Sequence, residues 1–393
     1  MQFSIVLEGH KLIKRVLFVF GTRPEAIKMA PLVNVFKKDS DFETKLCVSA
    51  QHREMLDQTL NFFNLQPDFD LNIMESNQDL FSITSKILLA LKDILKDFKP
   101  HLILVHGDTT TALSGALAGF YEKVPIAHIE AGLRTHNLAS PYPEEANRQM
   151  IDTLTNYYFV PTNDSKNNLL LEGKKEKNIC ISGNTVIDAL FLTLNLIKSN
   201  QNLEQKIKKD LSLYYPLNPQ RKFILVTAHR RENFGEGLIQ ICEALKQIAY
   251  NNPQIDIVYP THPNPNVQKT TKSLLTDTPN IFLIPPLNYE YFVYLMSHCY
   301  FIMTDSGGIQ EEAPSLRKPI LLMRNNTERP EALEAGVVKL VGTHIQSITK
   351  EAQNLLDNPK DYQAMSHSIN PYGDGKACER IVDFIKNFQR DKE

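Results

Sequence analysis

Short uninterrupted apolar runs, each followed by a helical stretch, recur along this chain, and halfway along the pattern starts again. In the first half the runs are RVLFVFG (15–21), KLCVSA (45–50), HLILVHGD (101–108), PIAHIEA (125–131), YYFVP (157–161) and NICISG (178–183). Between them lie AIKMAPLVNVFKK, HREMLDQTLNFF, an amphipathic stretch from Leu80 to Phe98 that Pro100 ends, TALSGALAGFYEK, and a helix from Glu144 to Leu154. The second half has KFILVTAH (222–229), IDIVYPTH (255–262), IFLIPPL (281–287), YFIMTDSG (300–307) and KPILLM (318–323). Its helical stretches are GLIQICEALKQIAY, YFVYLMSHC and the helix start IQEEAPSL. A strand with one wet face alternates apolar and polar residues. A run that is apolar throughout is buried on both faces, as parallel strands are when helices cover them above and below. The expected fold class is α/β, with two Rossmann-like doubly wound domains facing a cleft.

A chain of 393 residues exceeds what one hydrophobic core usually supports, so two domains are expected on size as well. The first is expected over 1–182 together with 376–393, and the second over 183–375. A polar stretch around Lys198 to Gln220, with Pro216 and Pro219, lies between the halves. Pro371, Gly373 and Gly375 form a turn before a last helix, KACERIVDFIKNF, which is expected to cross back onto the first domain.

Composition removes several function classes. The 43 basic and 45 acidic side chains give a net charge of -2, so nucleic acid is not an expected partner and any phosphate must be held locally. Five dispersed cysteines without CxxC spacing suggest neither disulfides nor a zinc site. Buried, reduced thiols are expected. MQFSIVLEGHKLIKR lacks the apolar core of an export signal, and no apolar run is long enough for a membrane span. A cytoplasmic location without membrane contact is the expectation.

In open parallel sheets, ligands bind beyond the carboxyl ends of strands, where loop amides and helix N-termini gather. Five segments fall there. Gly21-Thr22-Arg23-Pro24-Glu25 leads to Lys28 and is either a plain strand-to-helix turn or a phosphate contact through Arg23; it is neither GxGxxG nor a P-loop. In HGDTTT (106–111), Asp108 reads as a helix cap or as a functional carboxylate. Glu130 ends an apolar strand, an unusual place for a carboxylate unless it is paired, with Arg134 or Arg148 as candidate partners, or functional. If their strands are neighbours, Asp108, Glu130 and Glu144 converge and can divide acid and base roles. His229-Arg230-Arg231-Glu232 is either a diphosphate site or a salt-bridged loop. Asp305-Ser306-Gly307-Gly308 opens a helix with exposed backbone N–H groups, an anion site, and Glu312 a turn later can accept from ribose hydroxyls. No HExxH, Cys/His cluster or GxSxG is present.

Together these segments resemble the non-hydrolysing UDP-N-acetylglucosamine 2-epimerases. GTRPEAIKMAPL (21–32), AQHREMLDQ (50–58), HGDTTT (106–111), HIEAGLRT (128–135), PYPEEANR (141–148), SGNTVID (182–188), AHRREN (228–233), DSGGIQEEAP (305–314) and TERPEAL (327–333) match in order over nearly the whole chain. The resemblance implies the glycosyltransferase-B architecture, a homodimer, and no metal or nicotinamide cofactor. It implies loss of the C2 proton and departure of UDP from C1 to give a held 2-acetamidoglucal. UDP then returns with a proton added to the other face, yielding UDP-N-acetylmannosamine. By the same resemblance Asp108, Glu130, Glu144 and His229 are the expected catalytic groups. Arg23, Lys28, Arg148, Leu287, Phe292, Ser306, Gly307, Glu312 and Arg329 are the expected contacts to UDP-N-acetylglucosamine or UDP. Gln51, Arg230 and His262 match an activator site of some members, although Glu54 stands where some members have glutamine. A UDP-sugar glycosyltransferase, a hydrolysing relative, an epimerase for a modified sugar and a non-catalytic nucleotide-binding module are the competing readings.

Overall fold

The computed structural model describes residues 14–50, 53–75 and 78–390. The reading of the N-terminal segment and the candidate Gln51 lie outside the described residues. Contacts divide the chain into two compact units, residues 1–185 with 376–393 and residues 186–375.

The first unit opens with β1 (Lys14–Phe20), α1 (Arg23–Lys38), β2 (Phe42–Val48), α2 (Arg53–Phe62) and β3 (Phe69–Asp70). It continues through α3 (Leu80–Phe98), β4 (Leu102–His106), α4 (Thr110–Tyr121), β5 (Ile126–Ile129), α5 (Glu144–Leu154), β6 (Tyr157–Val160), α6 (Asn163–Leu171) and β7 (Ile179–Ile181). These strands form one parallel sheet in the order β3-β2-β1-β4-β5-β6-β7. Val16 to Phe20 and Leu102 to His106 are buried along their whole length, as the unbroken apolar runs require of strands covered on both faces. Each large side chain so buried contributes roughly 1.5–3 kcal/mol.

The second unit begins within α7 (Thr185–Ser199) and runs through α8 (Gln201–Ser212), β8 (Phe223–Thr227), α9 (Glu236–Asn251), β9 (Asp256–Pro260), α10 (Pro265–Leu275) and β10 (Ile281–Ile284). Then come α11 (Tyr289–His298), β11 (Phe301–Thr304), α12 (Gly307–Glu312), β12 (Ile320–Leu322), α13 (Pro330–Glu334), β13 (Val338–Leu340), α14 (Ile345–Asp357) and α15 (Pro359–Ser366). Its strands are again all parallel, in the order β10-β9-β8-β11-β12-β13. The polar stretch read as lying between the halves is a layer of this unit. Ile207 and Leu211 of α8 are buried, and Tyr215 packs edge-on against Phe223 and Phe282 at 5.4 and 4.9 Å. The last helix, α16 (Ala377–Arg390), returns to the first unit, where Phe384 meets Tyr157 and Phe159. Among the described residues no helix is long and apolar enough to cross a membrane.

In each sheet the chain reverses direction of growth once, between β1 and β4 in the first unit and between β8 and β11 in the second. At such switch points the two outgoing loops part and leave a crevice. Gly21 lies just beyond β1, and a Cβ there would stand 1.8 Å from Ser49 Oγ and 2.7 Å from Thr111 Oγ1. Only glycine lets the strand end pass that close. Thr22 then caps α1 in a capping box with Glu25. Glu25 Oε2 accepts from the Thr22 and Gly21 N–H groups at 2.8 and 3.1 Å, and its Oε1 accepts from Thr109 Oγ1 at 2.7 Å. One buried carboxylate thus ties the loop after β1 to the loop after β4.

Burial pushes the Glu25 carboxyl up to about 7, against the lowering effect of the hydrogen bonds from Thr109, Thr22 and Gly21. In the unfolded chain it ionises near 4.5. Below that value it is protonated in both states. Between 4.5 and about 7 the unfolded chain releases the proton and the folded one keeps it, so its stabilising contribution drains away as pH rises. The full loss is on the order of 3 kcal/mol. Glu25→Gln, which cannot titrate, should therefore gain stability relative to the parent chain between pH 5 and pH 8. Urea unfolding of both proteins at the two pH values checks this, and equal pH slopes would refute it.

Candidate functional site

The first cluster sits at the β1/β4 switch point. Gly107, at φ 65°, turns the chain out of β4, and Asp108 and Thr109 follow. Thr109, not Asp108, caps α4, accepting from the Ala112 N–H at 3.0 Å. The capping role open to Asp108 is thus overturned, and its carboxylate is turned to Arg148 on α5, at 2.7 and 2.9 Å. Asn147 Nδ2 donates to the Asp108 carbonyl at 2.8 Å and fixes the same turn from α5.

Glu130 follows the last residue of β5 with φ 67°, a left-handed conformation that costs a non-glycine residue roughly 1–2 kcal/mol. Neither Arg134 nor Arg148 is its partner. Lys28 Nζ, from the second turn of α1, forms an ion pair with it, and Asn184 Nδ2 donates to the same oxygen at 2.8 Å. The two arginines have nearer carboxylates. Arg148 also holds Glu145 at 3.1 Å, while Arg134 holds Asp152 at 2.7 Å and Glu172 at 2.6 Å. Glu144 opens α5, half-buried, and among the described residues its carboxylate has no hydrogen bond or ion pair. Arg23 is half-buried at the first position of α1, on the loop that Glu25 braces. The structure therefore gathers Lys28 with Glu130, and Asp108 with Arg148, around neighbouring strand ends.

Beneath this cluster lies a buried polar layer that the sequence does not single out. His128 on β5 has both ring nitrogens engaged: Nδ1 meets Asp152 Oδ1 at 2.6 Å and Nε2 meets the Gly107 carbonyl at 2.7 Å. Burial opposes charge on Asp152, yet His128 and Arg134 hold its carboxyl below the usual range. The layer pins the carbonyl that precedes Asp108. His106, the last residue of β4, is also buried, with Nε2 at 3.8 Å from Glu130 Oε2. Burial pushes its pKa down to about 3, so the ring is neutral.

The second cluster sits at the β8/β11 switch point. Asp305, fully buried beyond β11, accepts from the backbone N–H of His229 at 2.9 Å, of Arg230 at 2.8 Å, and from Asn233 Nδ2 at 3.1 Å. It holds the loop after β8 against the end of β11. Thr227 and Thr304 join the same strand ends by a 2.6 Å hydroxyl contact. Ser306 precedes α12 without capping it through its side chain. A Cβ on Gly307 would stand 2.6 Å from Arg329 Nη1 and 3.3 Å from Arg230 Nη2. Two guanidinium groups are thus drawn over the first turn of α12, beside the anion-favouring end of a helix.

Arg329 is oriented by Glu311, with both Nε and Nη2 at 2.7 Å. Glu312 accepts from the Tyr289 hydroxyl at 2.5 Å. Leu287, just beyond β10, and Phe292 on α11 are half-buried. His229 is partly exposed; burial lowers its pKa, and Asp305 works the other way. Its ring stacks on that of the exposed His262 at 5.1 Å. Arg324, absent from the sequence candidates, braces Glu232 and Glu328 at 2.5 and 2.8 Å. What marks Asp305 in the sequence is its place: a carboxylate ending an apolar run, as Glu130 is. Among the described residues no group of three or more His, Cys, Asp or Glu side chains is arranged to hold a metal ion.

The family described as UDP-N-acetylglucosamine 2-epimerase matches residues 34–386. The UDP-N-acetylglucosamine 2-epimerase of Campylobacter jejuni is 60% identical over 95% of this chain and 98% of its own length. That of Escherichia coli K12 is 54% identical, with the same shares covered. Among solved structures, the UDP-GlcNAc 2-epimerase of Neisseria meningitidis, bound to UDP-GlcNAc, superposes with a TM-score of 0.87 at 50% identity. It covers 95% of this chain and 100% of its own. This chain, with its two doubly wound parallel sheets, belongs to the UDP-N-acetylglucosamine 2-epimerase family.

Proposed function

We propose that this enzyme interconverts UDP-N-acetylglucosamine and UDP-N-acetylmannosamine without hydrolysis, by eliminating UDP and adding it back. A carboxylate takes the C2 proton, the C1–O bond breaks, and UDP leaves with the bonding pair, so that a 2-acetamidoglucal remains. In the return step the UDP oxygen attacks C1 and a second acid delivers a proton to the opposite face of C2. No electron is gained or lost overall. The observation that carries this reading is Glu130, a strained carboxylate at a strand end beside Lys28 and Asn184. We assign Asp108, Glu130 and Glu144 to the acid and base roles, and His229 to the diphosphate.

The second unit's loops support the nucleotide half of the reading. Arg329 and Arg230 over Gly307 suit a diphosphate, Glu312 the ribose, and Leu287 with Phe292 the uracil. Arg23, Lys28 and Arg148 of the first unit are our candidates for contacts to the sugar and phosphate, and Arg230 with His262 for an activator. We read the enzyme as cytoplasmic and homodimeric; exposed Phe81 and Leu89 on α3 and Phe120 and Tyr121 on α4 support the pairing.

Incubation with UDP-N-acetylglucosamine in deuterated water tests the reaction. Deuterium should appear at C2 of both epimers by NMR. Free N-acetylmannosamine would point instead to hydrolysis, and transfer to an added acceptor without C2 exchange to a transferase. Glu130→Gln should lower kcat by about 10²- to 10⁴-fold, the usual worth of a positioned acid or base, while UDP still binds. Full activity in that variant would remove Glu130 from the chemistry. Asp305→Asn weakens the charged acceptor that orders the His229 and Arg230 amides, so UDP affinity measured by calorimetry should fall roughly tenfold. Unchanged affinity would mean that this carboxylate does not organise the nucleotide site.

A further inference from the structure

A carboxylate that passes protons needs two sets of partners, donors while it is charged and an acceptor while it carries the proton. The hydrogen bonds to Glu130 from Lys28 Nζ and Asn184 Nδ2 serve only the charged form, because ammonium and amide N–H groups cannot accept. An acceptor is close by. His106 Nε2 lies 3.8 Å from Glu130 Oε2, outside hydrogen-bond range by less than 1 Å.

The state of that imidazole is the second observation. His106 is 4% exposed, and neither ring nitrogen has a hydrogen-bond partner among the described residues. Buried polar atoms are nearly always satisfied, and leaving one unpaired costs roughly 1–3 kcal/mol. Leucine at this position would avoid that cost. The groups that act on the ring are Glu130, Lys28 from α1 and His128 from β5. With its basicity depressed, the ring is too weak a base to keep a proton yet retains a lone pair, which suits accepting a hydrogen bond from a carboxylic acid. By contrast His128, one strand over, has both nitrogens occupied and is a structural member of its layer.

We propose that His106 is the positioning residue for protonated Glu130: its Nε2 accepts the carboxylic O–H after the C2 proton has been taken and holds that acid until the reverse reaction returns the proton to the same face. In the charged state Glu130 rests on Lys28 and Asn184 and the imidazole stands unpaired. When Glu130 becomes neutral its bond to Lys28 weakens, and a small side-chain rotation closes the gap to His106. The imidazole keeps its own proton throughout, so on this face of C2 the one proton transferred is that between C2 and Glu130, and the second acid serves the opposite face.

This inference rests on the epimerase reading, and the parent chain separates the two. If the parent shows no C2 exchange, that reading fails on its own; the variants are compared with an exchanging parent. His106→Leu should lower kcat on the order of tenfold with KM nearly unchanged, because a stabilising contact to one protonation state is lost. The same variant should raise Tm by roughly 2–4 °C, because an unpaired buried ring is replaced by an apolar side chain. His106→Gln, whose amide oxygen can accept, should recover kcat to within about threefold of the parent. Opposite signs for activity and stability, with rescue by glutamine, support the assignment. Parent-like turnover in the leucine variant would overturn it, as would a fall of both kcat and Tm, which a purely structural histidine would give. A glutamine variant as slow as the leucine one would also overturn it.

Discussion

Both sheets of this molecule are tied at the point where their strand order reverses, each by one buried carboxylate. In the first unit Glu25 takes two backbone N–H groups from the loop after β1 and the Thr109 hydroxyl from the loop after β4. In the second, Asp305 stands beyond β11 and takes two backbone N–H groups and the Asn233 amide from the loop after β8. A parallel sheet leaves these loops otherwise unconnected, since neighbouring strands at a switch point come from distant sequence. An acceptor on which several donors converge is directional in a low-dielectric setting, which a hydrophobic contact is not. Loop position therefore follows from these ties, and the residues that we assign to the nucleotide-sugar depend on them.

The strands were legible because burial on both faces demands apolar residues at every position, a pattern that little else produces. Several helices were not. α8 carries few inward residues, Ile207 and Leu211, among lysines and glutamines, so it reads as a linker until Tyr215 is seen between Phe223 and Phe282. α10 is similar, with Val267, Thr271 and Leu275 as its buried residues. Periodicity fails when the buried stripe is that narrow.

A carboxylate at the end of an apolar run marks Glu130 as either paired or functional, and the structure pairs it with Lys28 and Asn184. Its partners were not readable. Lys28 stands 102 positions away, and the two arginines favoured by proximity in sequence are taken by Asp152, Glu172, Asp108 and Glu145. Pairing is decided by which strand ends are neighbours, and that is a property of sheet order. Of the two readings open to Asp108, the cap falls for a smaller reason: Thr109 is one residue closer to the first helical turn.

Strain and unmet polarity collect on one side of the first sheet. Glu130 adopts a left-handed backbone, Glu25 is a carboxyl under full burial, and both nitrogens of His106 lack a hydrogen-bond partner among the described residues. Together these cost several kcal/mol, comparable with much of the net stability of a domain. Such a concentration persists only if the surroundings hold it and if relaxing it would harm something selected. The neighbouring layer of His128, Asp152 and Arg134 shows that this interior can satisfy buried polar groups completely. Incomplete satisfaction one strand away is then a property of the position, and it is what our assignment requires of a place where a proton arrives and leaves and no single set of partners fits both states.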